Sequence, residues 1–241
     1  MAAQENRASL EKRLRKRSPD EVILVATRAA LRAIPQIADN LDGVGPRRLA
    51  DLFLATIRAC VVARAVAVYP ALSGGLKPAA VAAARAAAAV AEIAGGMQSA
   101  IARAAGSAAD AIESSVISNA SFAAEFAGLS NKNIWPQIQA DIRDLEQIPA
   151  GSIVSIPLWR GNEPQVIAKN WEKLKNNLRA QGRWEYWINL YEAIKDGRTH
   201  FTELDDDARL ALEFNIYLLD DELWAQGAPT INAEIERLIT A

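Results

Sequence analysis

Residues 81–90 read Val-Ala-Ala-Ala-Arg-Ala-Ala-Ala-Ala-Val, in a chain of 241 residues of which 48 are alanine. Alanine has the highest intrinsic helix propensity and is depleted in strands, so this stretch is expected to be helical. A buried alanine methyl, however, contributes far less than a buried Leu or Phe. Helices of this kind gain stability by bringing backbone close to backbone, which commits the chain to helix-on-helix packing.

The aromatic residues are distributed the opposite way. All six tryptophans lie between Trp135 and Trp224, whereas the longest alanine runs precede Asp110. Charge divides in the same place: residues 1–110 carry 15 Lys/Arg against 9 Asp/Glu, and residues 111–241 carry 12 against 20. The net charge of −2 is therefore +6 set against −8. These contrasts predict an all-α protein with four parts. They are a basic flexible N-terminal segment (1–19), an Ala-rich helical bundle (20–128), a linker with one short helix (129–164) and a Trp-rich helical domain (165–241).

Composition also limits the function classes. An apolar fraction of 51% argues against disorder. Cys60 is the only cysteine, so no disulfide framework can form, and a lone thiol in an apolar run fits a reducing compartment. The expected location is cytoplasmic, and the abundance of Ala and Arg suggests a GC-rich bacterial genome. The most apolar stretch, Phe53 to Leu72, contains Arg58 and Arg64, so no integral membrane span is expected. No compact apolar stretch with a small-residue cleavage site follows the basic start, as a secretory signal would require.

Start and stop signals recur along the chain. Ser18-Pro19-Asp20-Glu21 offers a cap and an acidic first turn. In the helix that follows, Glu21, Arg28 and Arg32 share one stripe, expected to face solvent opposite Ile23, Leu24 and Leu31. Pro46 opens a second helix, residues 78–94 form a third, and a fourth is expected from about Met97 to Phe126. Pro149, Gly151, Pro157, Gly161 and Pro164 then punctuate the linker, where residues 153–156 allow one short strand. Beyond it, Asn162, Thr202 with Asp205, Asp220 and Thr230 are expected to cap helices.

Catalytic signatures are scarce. His200 is the only histidine, which excludes metal sites needing two, and no catalytic residues, metal or cofactor are expected. A Cys60–His200 nucleophile pair would have to form across the linker. Asp205-Asp206-Asp207 and Asp220-Asp221-Glu222 sit where helices begin, which favours a capping role over a divalent cation. Trp171, Trp184, Trp187 and Tyr191 repeat at helical spacing, a core pattern that could also frame a ligand or partner pocket.

Two features point to anionic partners. The run from Glu11 to Arg17 holds Lys12, Arg13, Arg15, Lys16 and Arg17, a cluster that attracts phosphate. Leu41-Asp-Gly-Val-Gly-Pro-Arg-Arg-Leu-Ala-Asp-Leu52 resembles the helix-hairpin-helix motif of DNA-binding proteins. The resemblance implies a phosphate held by backbone amides around Gly43 and Gly45, without base readout, with Arg47 and Arg48 adding contacts. Pro35 cuts the preceding helix short, a departure from that motif. The expected function is a non-enzymatic helical interaction protein, an adaptor, subunit or regulator binding another protein or itself. The alternative is a sequence-independent nucleic-acid-binding accessory protein.

Overall fold

In the computed structural model, residues 2–39, 45–94, 96–112 and 116–240 are described; they form thirteen α-helices and no strand, and the fold is all-α. Helix α1 (Ala2–Leu14) occupies the segment expected to be flexible. Leu10 and Leu14, four residues apart and fully buried, seat it on the core, which gives the basic run a fixed scaffold. Ser18 then caps α2 (Pro19–Ala33) in a complete capping box with Glu21.

Helix α2 is the central element. It packs on α3 (Pro46–Val68), α5 (Gly96–Asp110), α6 (Val116–Ser130) and α7 (Ile134–Asp144), and every residue from Val22 to Ala33 is buried. The solvent-facing stripe expected for Arg28 and Arg32 is therefore absent. Both arginines turn inward because a carboxylate more than a hundred residues away, Asp141, meets them in the core.

The alanine stretch lies in α4 (Ser73–Ile93), which packs between α3 and α5. Close approach is visible at Gly106 of α5, where an added Cβ would stand 3.4 Å from the Ala84 carbonyl oxygen and 3.6 Å from the Ala87 methyl. The helix expected from Met97 to Phe126 is two helices, α5 and α6; residues 113–115 between them lie outside the described set. Ser73, Gly74 and Gly75 start α4 rather than ending its predecessor.

The expected linker contains α7 and a single turn, α8 (Ala150–Ile153), and residues 153–156, where a short strand is allowed by the sequence, form the end of α8 and a turn. The remaining helices are α9 (Gln165–Gln181), α10 (Glu185–Lys195), α11 (Asp206–Tyr217), α12 (Asp221–Ala225) and α13 (Ala228–Thr240). Gly197 ends α10 with φ +66° in a Schellman arrangement, the Arg198 amide donating to the Ala193 carbonyl and the Gly197 amide to that of Ile194. Asp205 alone caps α11 through the Ala208 amide, in place of the Thr202 box, and Asp220 caps α12. Pro164 takes the position expected for Asn162, and α13 starts two residues before Thr230.

The Ala-rich and Trp-rich parts share one hydrophobic core. Phe53 of α3 lies 5.7 Å from the Trp184 ring and 6.4 Å from that of Trp171. The Asn170 amide donates to Gln36, and the Tyr191 hydroxyl donates to the Leu31 carbonyl. No described helix is long and apolar enough to cross a membrane.

Candidate functional site

The basic run of α1 serves two purposes. Arg13 bonds to Gln139 and faces Glu146, while Arg17 donates to the Leu145 carbonyl at 2.9 Å and pairs with Glu146 at 2.9 Å. Farther up, Arg7 pairs with Glu125 at 3.1 Å and lies 3.8 Å above the Phe122 ring. These contacts fasten α1 and the turn after it to α6 and α7. Lys12 of α1 and Arg15 and Lys16 of the turn after it remain exposed.

The hairpin-like segment is only partly described, since Gly43 and Val44 lie outside the described residues. Gly45 is the N-cap of α3 and offers its first-turn amides no side-chain acceptor; Arg47 and Arg48 beside it are exposed. Trp171, Trp184, Trp187 and Tyr191 are at most 2% exposed and form the core of the Trp-rich part. The Trp171 indole donates to Glu192, the Trp187 indole to Asn232 and the Tyr191 hydroxyl to the Leu31 carbonyl. Cys60 is buried, which pushes its thiol up, away from the reactive thiolate.

Sequence reasoning missed a buried network around Asp141. Arg32 and Arg28 both pair with this carboxylate, and Arg160 reaches it from the surface at 3.2 Å. Arg28 also donates to the carbonyls of Ile153, Ile156 and Pro157, and Arg32 to that of Leu158. Two arginines thereby satisfy the carbonyls of an irregular, Pro-rich segment that has few ladder partners of its own. The signal available in the sequence was Arg28 and Arg32 four residues apart in an otherwise apolar helix.

A second group surrounds a polar cleft of about 240 Å³ where α3, α8, α10 and α11 converge with the loop Gly197–His200. Its charged lining comprises Arg64 of α3, Arg198 of the loop, and Arg209 and Glu213 of α11. Arg209 pairs with the exposed Asp206, and Arg198 with Asp196. Glu213 is only 6% exposed, and among the described residues it has no hydrogen bond and no partner within ion-pair distance; Arg64 likewise has none. Burial pushes the Glu213 carboxyl up, against the through-space pull of Arg64 and Arg209. His200 borders the same cleft with a buried Nδ1 that finds no protein partner, and burial pushes its imidazole down to about 4.

No protein-family model, curated protein or solved structure matches the chain.

Proposed function

We propose that this chain is a non-enzymatic helical interaction protein, an adaptor, subunit or regulator, that docks on another protein or on a second copy through the basic outer face of α1 and the turn after it. One observation carries the reading. Arg7, Arg13 and Arg17 hold the helix and its last turn in place, while Lys12, Arg15 and Lys16 are presented together to solvent. A cationic face held at fixed geometry steers acidic surfaces toward it and sets their orientation. The exposed acidic runs at Asp205–Asp207 and Asp220–Glu222 give a second copy a matching surface. A bacterial, cytoplasmic setting, suggested by the composition, is consistent with this role.

The nucleic-acid reading is favoured by a different observation, the exposed Arg47 and Arg48 beside the uncapped first turn of α3. The two readings separate in one binding experiment at two salt concentrations, with poly-glutamate and a DNA duplex as probes. Docking through α1 is expected to show salt-dependent poly-glutamate binding that is lost in Lys12→Glu/Arg15→Glu/Lys16→Glu and kept in Arg47→Ala/Arg48→Ala. Duplex binding with the reverse dependence establishes the nucleic-acid reading instead. Light scattering at increasing concentration tests the second copy as partner. If the protein binds neither probe at micromolar concentration and stays monomeric, the α1 reading is overturned.

A further inference from the structure

We propose that the cleft between α3, α10 and α11 binds a small zwitterion of the α-amino acid class, its carboxylate directed to Arg64 and Arg209 and its ammonium to Glu213. The inference stands apart from α1 and uses none of its residues.

Two opposite charges border this one cleft without reaching each other. Arg64 and Glu213 interact through space but not at ion-pair distance, and neither has another ionic partner among the described residues. Arg209 adds a second cation whose own partner, Asp206, is 90% exposed and solvated. The Glu213 residue is 6% exposed and has no hydrogen bond among the described residues, so its carboxylate is left to whatever occupies the cleft. A ligand that carries both charges, a few ångströms apart, answers Arg64 and Glu213 together.

Simpler ligands answer only half of the site. Phosphate or acetate would answer Arg64 and Arg209 and leave Glu213 without a cation of its own. A plain amine would satisfy Glu213 and leave Arg64 unpaired. Size narrows the class further, since about 240 Å³ lies below the roughly 300 Å³ at which drug-sized pockets begin. Val68, Leu190 and Ile194 supply an apolar wall for a short side chain.

The test is calorimetric titration of the full chain with the standard L-amino acids, inorganic phosphate and acetate. At least one amino acid is expected to bind at millimolar concentration or below. Its N-acetyl and methyl-ester forms, each lacking one charge, are expected to bind at least about tenfold more weakly, because each loses a charge-assisted contact. Arg64→Gln and Glu213→Gln should each weaken binding to a similar degree, with circular dichroism confirming the fold. The derivative comparison needs only the unmodified protein, so the outcome does not depend on how the variants fold. The proposal is overturned if no amino acid binds at millimolar concentration, if the blocked forms bind equally well, or if phosphate binds best and survives Glu213→Gln.

Discussion

Arg32 and Asp141 form a forked ion pair in the core, with Nη1 donating to Oδ2 at 2.6 Å and Nη2 to Oδ1 at 2.9 Å, and both side chains fully buried. The pair joins α2 to α7, and through the carbonyl bonds of the two arginines it also holds residues 153–158 against α2. Buried pairs of this kind add little over a well-packed apolar alternative, but removing one partner leaves an uncompensated charge. Asp141→Ala leaves two, Arg28 and Arg32. A loss of about 3–5 kcal/mol is expected, seen as a lower urea midpoint. Protease cleavage between residues 149 and 160 should also increase, because the arginines lose the orientation that holds those carbonyls.

Acid should destabilise the protein in two separate windows. Burial pushes the Asp141 carboxyl up, but Arg32 and Arg28 together outweigh it, so its folded value lies below the ordinary one. Its contribution is complete above about pH 3.9, the unfolded value, and is lost as pH falls through the folded value. His200 acts earlier. Its folded value near 4 lies below the unfolded value of about 6.5, so the unfolded chain binds the extra proton and stability falls between those limits. Chemical denaturation across pH should show His200→Gln flattening the profile between about 6.5 and 4, and Asp141→Asn flattening it below that range. A His200→Gln profile identical to that of the parent would contradict the buried imidazole.

Gly197 tests how α10 meets the Pro-rich segment. At φ +66°, a Cβ there would lie 2.6 Å from the Ser155 carbonyl oxygen and 2.8 Å from both Ile156 C and Pro157 N, all backbone atoms. Gly161 has a similar φ of +78° but nothing within 4 Å of the added atom. Gly161→Ala should therefore lose only the left-handed term, roughly 1 kcal/mol. Gly197→Ala adds overpacking of about 1–3 kcal/mol to the same term. Thermal unfolding of the two variants measures the difference; equal losses would mean that the segment yields freely.

Local signals made much of the fold legible. The Ser18 and Asp220 caps and the Gly197 stop are short-range chemistry, read directly from neighbouring residues, whereas the α11 cap expected at Thr202 falls three residues later, at Asp205. The inward turn of Arg28 and Arg32 was not legible, because their partner is over a hundred residues away and periodicity places a charge on the polar face by default. The same limit explains the cleft. Arg64, Glu213 and His200 come from separate elements, and nothing in their local sequence announces that they share a cavity. Conversely, the basic run was legible as a cluster, but its division into Arg13 and Arg17 facing α7 and Lys12, Arg15 and Lys16 facing solvent required the packing of α1.

Glu213 should be a residue that costs stability. Arg64 faces it from α3, Tyr186 from α10, His200 from the loop, and Arg209 and Tyr217 from its own helix, yet none makes a hydrogen bond to it. Its folded value is raised, so the folded protein holds the proton more tightly and this group's contribution falls as pH rises from the unfolded value, about 4.3, through the folded one. Glu213→Gln removes the ionisation while keeping the shape. The variant is expected to be more stable than the parent at pH 8 by about 0.5–2 kcal/mol, the range typical of relieving a locally unfavourable group. At pH 4 the difference should shrink, because the parent carboxyl is then largely protonated. A destabilised Glu213→Gln at pH 8 would show that the carboxylate is already paired within the protein, and would remove the main support for a ligand at this cleft.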